Sequence, residues 1–164
     1  MRRALEMLIE TYQDEVFGYC ARLVGTGDAL GVYNRVLSAA VSDIDEVHDQ
    51  RSLRAWLYKI ARITVAHHHR SDRRAHPQAL DPEYVPVQGP EGGPGVRLSD
   101  DRLDDAMAAL DPATREILQL ALWHRLRLRE VAQVVERPLR ETRRLAAAGL
   151  SRLAFELQQS EEPS

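Results

Sequence analysis

The chain has 164 residues, of which 44% are hydrophobic, 29% charged and 5% aromatic, and its formal net charge is −3. These values exclude global disorder and an indiscriminate nucleic-acid binder, and the length allows one medium domain or two small ones. Cys20 is the single cysteine, which excludes an internal disulfide and a thiolate metal cluster and suits a reducing cytoplasm.

No apolar run is long enough to span a bilayer, and Met1-Arg2-Arg3 is not followed by the apolar core of a secretory signal. The chain is therefore expected in the cytoplasm, without membrane insertion. Leu5, Leu8, Ile9, Tyr12, Val16, Phe17, Cys20, Leu23 and Val24 recur at helical spacing and predict one long amphipathic helix. Gly25-Thr26-Gly27 stops it, and Asp28 is placed to cap a second helix whose apolar face is Val32, Val36, Leu37 and Ala40. Residues 42–51 are polar and acidic and read as a loop with a short helical turn. Ser52 caps a third helix carrying Leu53, Trp56, Leu57, Ile60 and Ala61, which ends near Arg73-Arg74.

Residues 76–98 hold five prolines and four glycines, a composition that builds neither helix nor core. The segment 75–99 is read as a flexible acidic linker between a first domain over 1–74 and a second over 100–158, with 159–164 a disordered tail. The second block opens with Ser99 or Asp100 as cap and Leu103, Met107 and Leu110 on one face. Asp111-Pro112 is a cap followed by proline at the first helical position, and Ile117, Leu118, Ala121 and Leu122 form the next buried face. A short helix from Arg129 to Val135, a break at Glu136-Arg137-Pro138 and a last helix over 139–157 complete the chain. The fold class is all-α: two small helical domains, with no alternation that predicts a strand.

Residues 129–157 read as a helix-turn-helix, in which the first helix braces on the DNA backbone and the first turns of the second enter the major groove. Those turns hold Arg140, Glu141, Arg143 and Arg144. Between 125 and 152 there are eight arginines against Glu130, Glu136 and Glu141, a local excess that the net charge hides. Arginine contacts phosphates and reads guanine bidentately. The alternative is a helical hairpin with solvated arginines.

With these residues in place, nearly all of 5–157 resembles the extracytoplasmic-function class of bacterial sigma factors. Trp56-Leu57-Tyr58-Lys59-Ile60-Ala61-Arg62 resembles the helix that closes that family's region 2 and helps open the promoter minus-ten element. Leu110-Asp111-Pro112-Ala113-Thr114-Arg115-Glu116-Ile117-Leu118 resembles the opening of region 4, and Glu130-Val131-Ala132 its helix-turn-helix. The resemblance implies a three-helix region-2-like domain and a region-4-like domain. It implies binding to core RNA polymerase through Asp28, Tyr33, Asn34, Leu37 and Trp56. Arg62, Arg70, Arg73 and Arg74 would meet the minus-ten region of double-stranded promoter DNA, and Arg137, Arg140, Arg143 and Arg144 the minus-thirty-five region. An anti-sigma factor is the implied regulator.

Departures from the family fall at contact positions: Leu30, Gly31, Arg35, Ile63, His67, Glu136 and the run Ala146-Ala147-Ala148-Gly149. They leave open a sigma-like adaptor that binds a protein instead of promoter DNA. A stand-alone helix-turn-helix repressor is a third reading; it would dimerise on a palindrome, whereas a sigma-like chain is expected to be monomeric when free. His67-His68-His69 cannot form a one-sided metal site, since neighbouring helical residues point about 100° apart. No cofactor and no catalytic machinery are expected.

Overall fold

The computed structural model describes residues 2–49, 52–75 and 101–159. Every described element is helical: α1 (Arg2–Val24), α2 (Thr26–Ser42), a 3-10 turn (Ile44–Asp49), α3 (Leu53–Ala75), α4 (Asp101–Ala108), α5 (Pro112–Leu122), α6 (Leu128–Val135) and α7 (Leu139–Gln159). The all-α expectation holds. The chain divides into two compact units, Met1–Gln88 and Gly89–Ser164. The expected linker, the cap at Ser99 or Asp100 and the tail beyond Gln159 lie outside the described residues.

In the first unit α1, α2 and α3 pack pairwise around Val16, Cys20, Ala29, Val32, Val36, Ala40, Leu57 and Ala61. Small residues at 29, 40 and 61 let the helices approach closely, while the valines fill the space between them. Cys20 is fully buried, and loss of water pushes its thiol up to about 12, so it behaves as a small apolar core residue. Tyr19, absent from the predicted face of α1, is also buried and meets Tyr58 edge-on at 5.3 Å between ring centres.

A polar knot ties α1 to α3. One carboxylate oxygen of Glu15 accepts from Arg54 Nε at 2.9 Å, Arg54 Nη2 at 2.6 Å and the Tyr58 hydroxyl at 3.0 Å. The Arg54 guanidinium also lies over the Tyr12 and Tyr58 rings, 5.7 and 5.9 Å from their centres. Burial and the Glu15 carboxylate hold the Tyr58 hydroxyl protonated, well above the usual phenol range.

The start of α2 differs from expectation. Gly25 takes φ 81°, a left-handed conformation that glycine adopts without a Cβ penalty. This turns the chain within one residue, so α2 begins at Thr26 with Gly25, not Asp28, at its cap. Asp28 instead sits in the first turn, where its charge suits the helix dipole. The expected cap on α3 is present, with the Ala55 amide donating to Ser52 Oγ at 3.2 Å. Leu53, read as part of the buried face, is exposed because it precedes the turn at which α3 enters the bundle.

In the second unit Asp111 caps α5 as expected, accepting from the Thr114 amide at 3.0 Å, with Pro112 just inside the helix. That hydrogen bond holds the Asp111 carboxyl below the usual range. Arg115 folds back onto α4, donating to the carbonyls of Met107 (3.0 Å), Ala108 (2.8 Å) and Leu110 (2.8 Å). One guanidinium thus satisfies the orphan end of the preceding helix. The buried face of α5 is Thr114, Ile117, Leu118 and Leu120; Leu122, expected inside, is 46% exposed where the helix runs out of partners.

Ala146 and Gly149, read from sequence as a gap in the contact surface, are buried against the core. A Cβ on Gly149 would stand 2.5 Å from Thr114 Cγ2 and 2.8 Å from Leu118 Cδ1. The small residues therefore set how closely α7 approaches α5.

Two stability predictions follow from these contacts. Glu15→Ala removes the acceptor that Arg54 and Tyr58 share, and urea unfolding should show a loss of about 2 kcal/mol. A change below about 0.5 kcal/mol would mean that the knot contributes no more than a surface pair. Gly149→Ala gains about 1 kcal/mol of helix propensity but overpacks the α5–α7 crossing, which costs about 1–3 kcal/mol. A lowered unfolding midpoint is expected, partly restored by Thr114→Ser in the same chain; a raised midpoint would contradict the close approach.

Candidate nucleic-acid and polymerase interfaces

Each unit presents one helix whose inner face is core and whose outer face is cationic. On α3 the buried side comprises Ile60, Ala61 and Val65, with Thr64, His68 and Asp72 half-buried on the same side. The opposite side carries Lys59, Arg62, Ile63, Ala66, Arg70, Arg73 and Arg74 at spacings of three and four. Of these, Ile63, Ala66, Arg70, Arg73 and Arg74 are exposed, and Lys59 and Arg62 are half-buried. Arg73 Nε reaches the His69 carbonyl at 3.4 Å, so it also serves the end of its own helix. The four arginines expected to act together thus share one face. Lys59 belongs with them and was not singled out; the one-turn step from Lys59 to Ile63 was the available signal.

The α2 surface is mixed. Asp28 and Asn34 are exposed, and Tyr33 is half-buried and edge-on to Phe17 at 5.6 Å between ring centres. Leu37 is half-buried. Trp56, assigned to the same interface by the resemblance and read as a core residue of α3, is 5% exposed and forms part of the core.

Arg35, the position of reversed charge, has an internal partner. Its Nη2 lies 3.0 Å from His68 Nδ1, and His68 Nε2 lies 3.4 Å from an Asp28 carboxylate oxygen. A guanidinium can only donate, so His68 accepts at Nδ1 and carries its proton at Nε2, facing Asp28. His68 therefore couples both ends of this stretch of α2 to α3. No grouping of His, Cys, Asp and Glu fit for a metal occurs among the described residues.

His69 packs near the end of α1. Burial first, then the neighbouring His68 and Arg73, hold it below the ordinary histidine range.

The second unit forms a helix-turn-helix. Glu130 accepts from the Arg127 amide at 2.9 Å and fixes the start of α6. Glu136 ends it at φ 54°, ψ 44°, with the Arg137 amide donating to the Ala132 carbonyl at 3.1 Å. A glutamate thus occupies the left-handed position that glycine takes at lower cost, and the turn keeps its shape. On α7, Thr142, Ala146, Gly149 and Leu153 face inward. Arg140, Arg143, Arg144 and Ala147 share the exposed face, as a recognition helix requires. Arg137 is exposed but paired with Glu141 at 2.5 Å, which tempers its charge. Arg125, Arg127 and Arg129, counted in the basic stretch but not assigned a contact, are exposed too.

A three-helix unit with a basic outer helix is followed by a second unit ending in a helix-turn-helix. Residues 8–75 match the sigma-70 region 2 family. Among solved structures, the chain is similar to the sigma factor RpoE from Bartonella quintana, determined in complex with the anti-sigma factor NepR. That match has 16% identity and a TM-score of 0.72, covering 95% of this chain and 98% of that one. It is also similar to CnrH, determined with the cytosolic domain of CnrY, at 20% identity and a TM-score of 0.65, covering 99% and 92%. No curated protein matches the sequence. Residues 8–75 are thus similar to sigma-70 region 2, and the chain shares the fold of the sigma factor RpoE and of CnrH. No helix among the described residues is long and apolar enough to cross a membrane.

The state of His69 gives a pH prediction. Its folded pKa lies below the unfolded one, so the unfolded chain binds the proton first as pH falls. Its contribution is full above the ordinary range near about 6.5 and is lost on acidification through it. Urea midpoints at pH 7.5 and 5.5 should differ less for His69→Gln than for the native chain; equal differences would remove His69 as a source.

Proposed function

We infer that this chain is a transcription-initiation subunit that binds core RNA polymerase and directs it to double-stranded promoter DNA, acting in the cytoplasm. The observation that carries the reading is the pair of basic outer helix faces, one in each unit, each backed by an intact core. In this reading residues 1–74 form one grip and 100–158 the other, joined through 75–99. Asp28, Tyr33, Asn34 and Leu37 meet the polymerase, with Trp56 holding α3 beneath them. Arg62, Arg70, Arg73 and Arg74 take the minus-ten side. Arg140, Arg143 and Arg144, with Arg137 at the turn, take the minus-thirty-five side. The polymerase supplies the chemistry and this chain none.

A second reading has its own support. Arg35 is committed to His68, and a similar fold was determined with an anti-sigma factor bound. A sigma-like adaptor held by a regulatory protein would need the scaffold but not the promoter contacts. An anti-sigma factor is a proposed partner under both readings.

The test combines capture and binding. The full chain should retain core polymerase in a pull-down, and Arg143→Ala should leave that retention intact. The same substitution should weaken duplex binding several-fold and reduce the slope of log affinity against log salt by about one. Failure to retain polymerase would sink the initiation reading. Capture of a regulator with no DNA shift at low salt would favour the adaptor.

A further inference from the structure

Arg35 differs from the ion-paired arginines in having a partner without charge. Arg54, Arg137 and Arg152 each donate to a carboxylate, of Glu15, Glu141 and Glu156, so each charge is matched where it sits. Arg35 Nη2 lies 3.0 Å from His68 Nδ1, which accepts from it as an uncharged ring nitrogen. The Asp28 carboxylate lies on the far side of that ring, 3.4 Å from Nε2. The ring therefore holds the guanidinium in place without cancelling its charge. One N–H of the five on a guanidinium meets the ring, and Arg35 is exposed, so donors remain for an outside acceptor.

The contact also carries the charge across to α3. Arg35 belongs to α2, but its partner His68 belongs to α3. His68 precedes Arg70 by two residues, about 3 Å along the helix axis. A cation from a second helix thus arrives at the level of the basic group Arg70, Arg73 and Arg74. Asp28 completes the arrangement. It is two turns before Arg35 on α2, and by facing Nε2 it keeps the ring proton there and leaves the Nδ1 lone pair for Arg35. The His68 side chain is 17% exposed, so the ring that sets this geometry is itself packed in place.

Charge complementarity selects the ligand. An ordered guanidinium with open donors suits phosphate or carboxylate. A single carboxylate would meet Arg35 alone, whereas a phosphodiester backbone meets Arg35 and the arginines of α3 together. We propose that Arg35 is a phosphate-binding residue for duplex DNA, contributed by α2 and held in position by His68 and Asp28. The inference rests on the promoter-binding reading and moves one residue of α2 to the DNA side. Arg35 is the contact; His68 and Asp28 are positioning residues. Because the side chain is ordered before DNA arrives, less rotamer freedom is lost on binding than for a loose arginine.

The test measures binding of the full chain to a fluorescein-labelled duplex of about 30 base pairs over a range of salt, with circular dichroism to show that each variant is folded. Arg35→Ala should weaken binding several-fold at low salt and lower the slope of log affinity against log salt by about one. His68→Ala keeps the charge but loses the hold, so affinity should fall about two- to five-fold with the slope unchanged. His68→Asn puts an amide oxygen near the Nδ1 position and should restore most of the affinity; an asparagine no better than alanine would overturn the positioning role. Core-polymerase retention should be the same for Arg35→Ala and the native chain. Unchanged affinity and slope for Arg35→Ala, beside a lowered slope for Arg70→Ala, would overturn the proposal and leave the DNA-binding reading standing. Loss of polymerase retention with DNA binding intact would overturn it too, and would place Arg35 in the protein interface. If the native chain binds no duplex at low salt, the DNA-binding reading itself fails and the proposal with it.

Discussion

The rotational phase of α3 is the constraint on which the first unit depends. The same helix must bury Leu57, Ile60, Ala61 and Val65 and turn Lys59, Ile63, Ala66 and Arg70 outward. Near its start, Glu15 on α1 holds Arg54 and Tyr58. Four turns later, His68 joins α3 to Asp28 and Arg35 on α2. Apolar packing alone is non-directional and tolerates small rotations of a helix. Two directional polar links to different partners do not, because turning α3 by one residue would move Arg54 and His68 away from both. The aim of the cationic stripe is therefore fixed by contacts within the fold.

The second unit solves the same problem with small residues and capped ends. Gly149 and Ala146 bring α7 close to α5, which leaves Arg140, Arg143 and Arg144 on the far side. Arg115 closes α4, Asp111 opens α5 and Glu130 opens α6. Three helix ends thus have specific partners, and α7 rests on that frame. The Glu136 turn is a local cost accepted within that frame: the residue is unfavourable in a left-handed conformation, but its neighbours over-determine the geometry.

Much of this was legible in the sequence, for a physical reason. Helical periodicity, Ser52, and Asp111-Pro112 report local free-energy preferences, and local preferences are readable one residue at a time. The arginines of α3 and α7 were legible because charged side chains seldom occupy a core. What escaped depends on contacts between elements. Nothing local marks Asp28 as a partner of His68 rather than a cap, or Arg35 as internally engaged rather than a lost contact. Ala146 and Gly149 look like missing contact residues until Thr114 and Leu118 are found against them. Trp56 reads as core from its place on the apolar face of α3, and its burial agrees.

In the proposed role, the two basic faces let this chain choose where core polymerase begins. The direct measurement is sequencing of transcript 5′ ends made in vitro by core polymerase on genomic DNA, with and without the chain. Discrete new start sites that share two upstream sequence elements are expected, and they should be lost when Arg140, Arg143 and Arg144 are replaced together. Start sites indistinguishable from those of core polymerase alone, although the chain is bound to it, would contradict the claim.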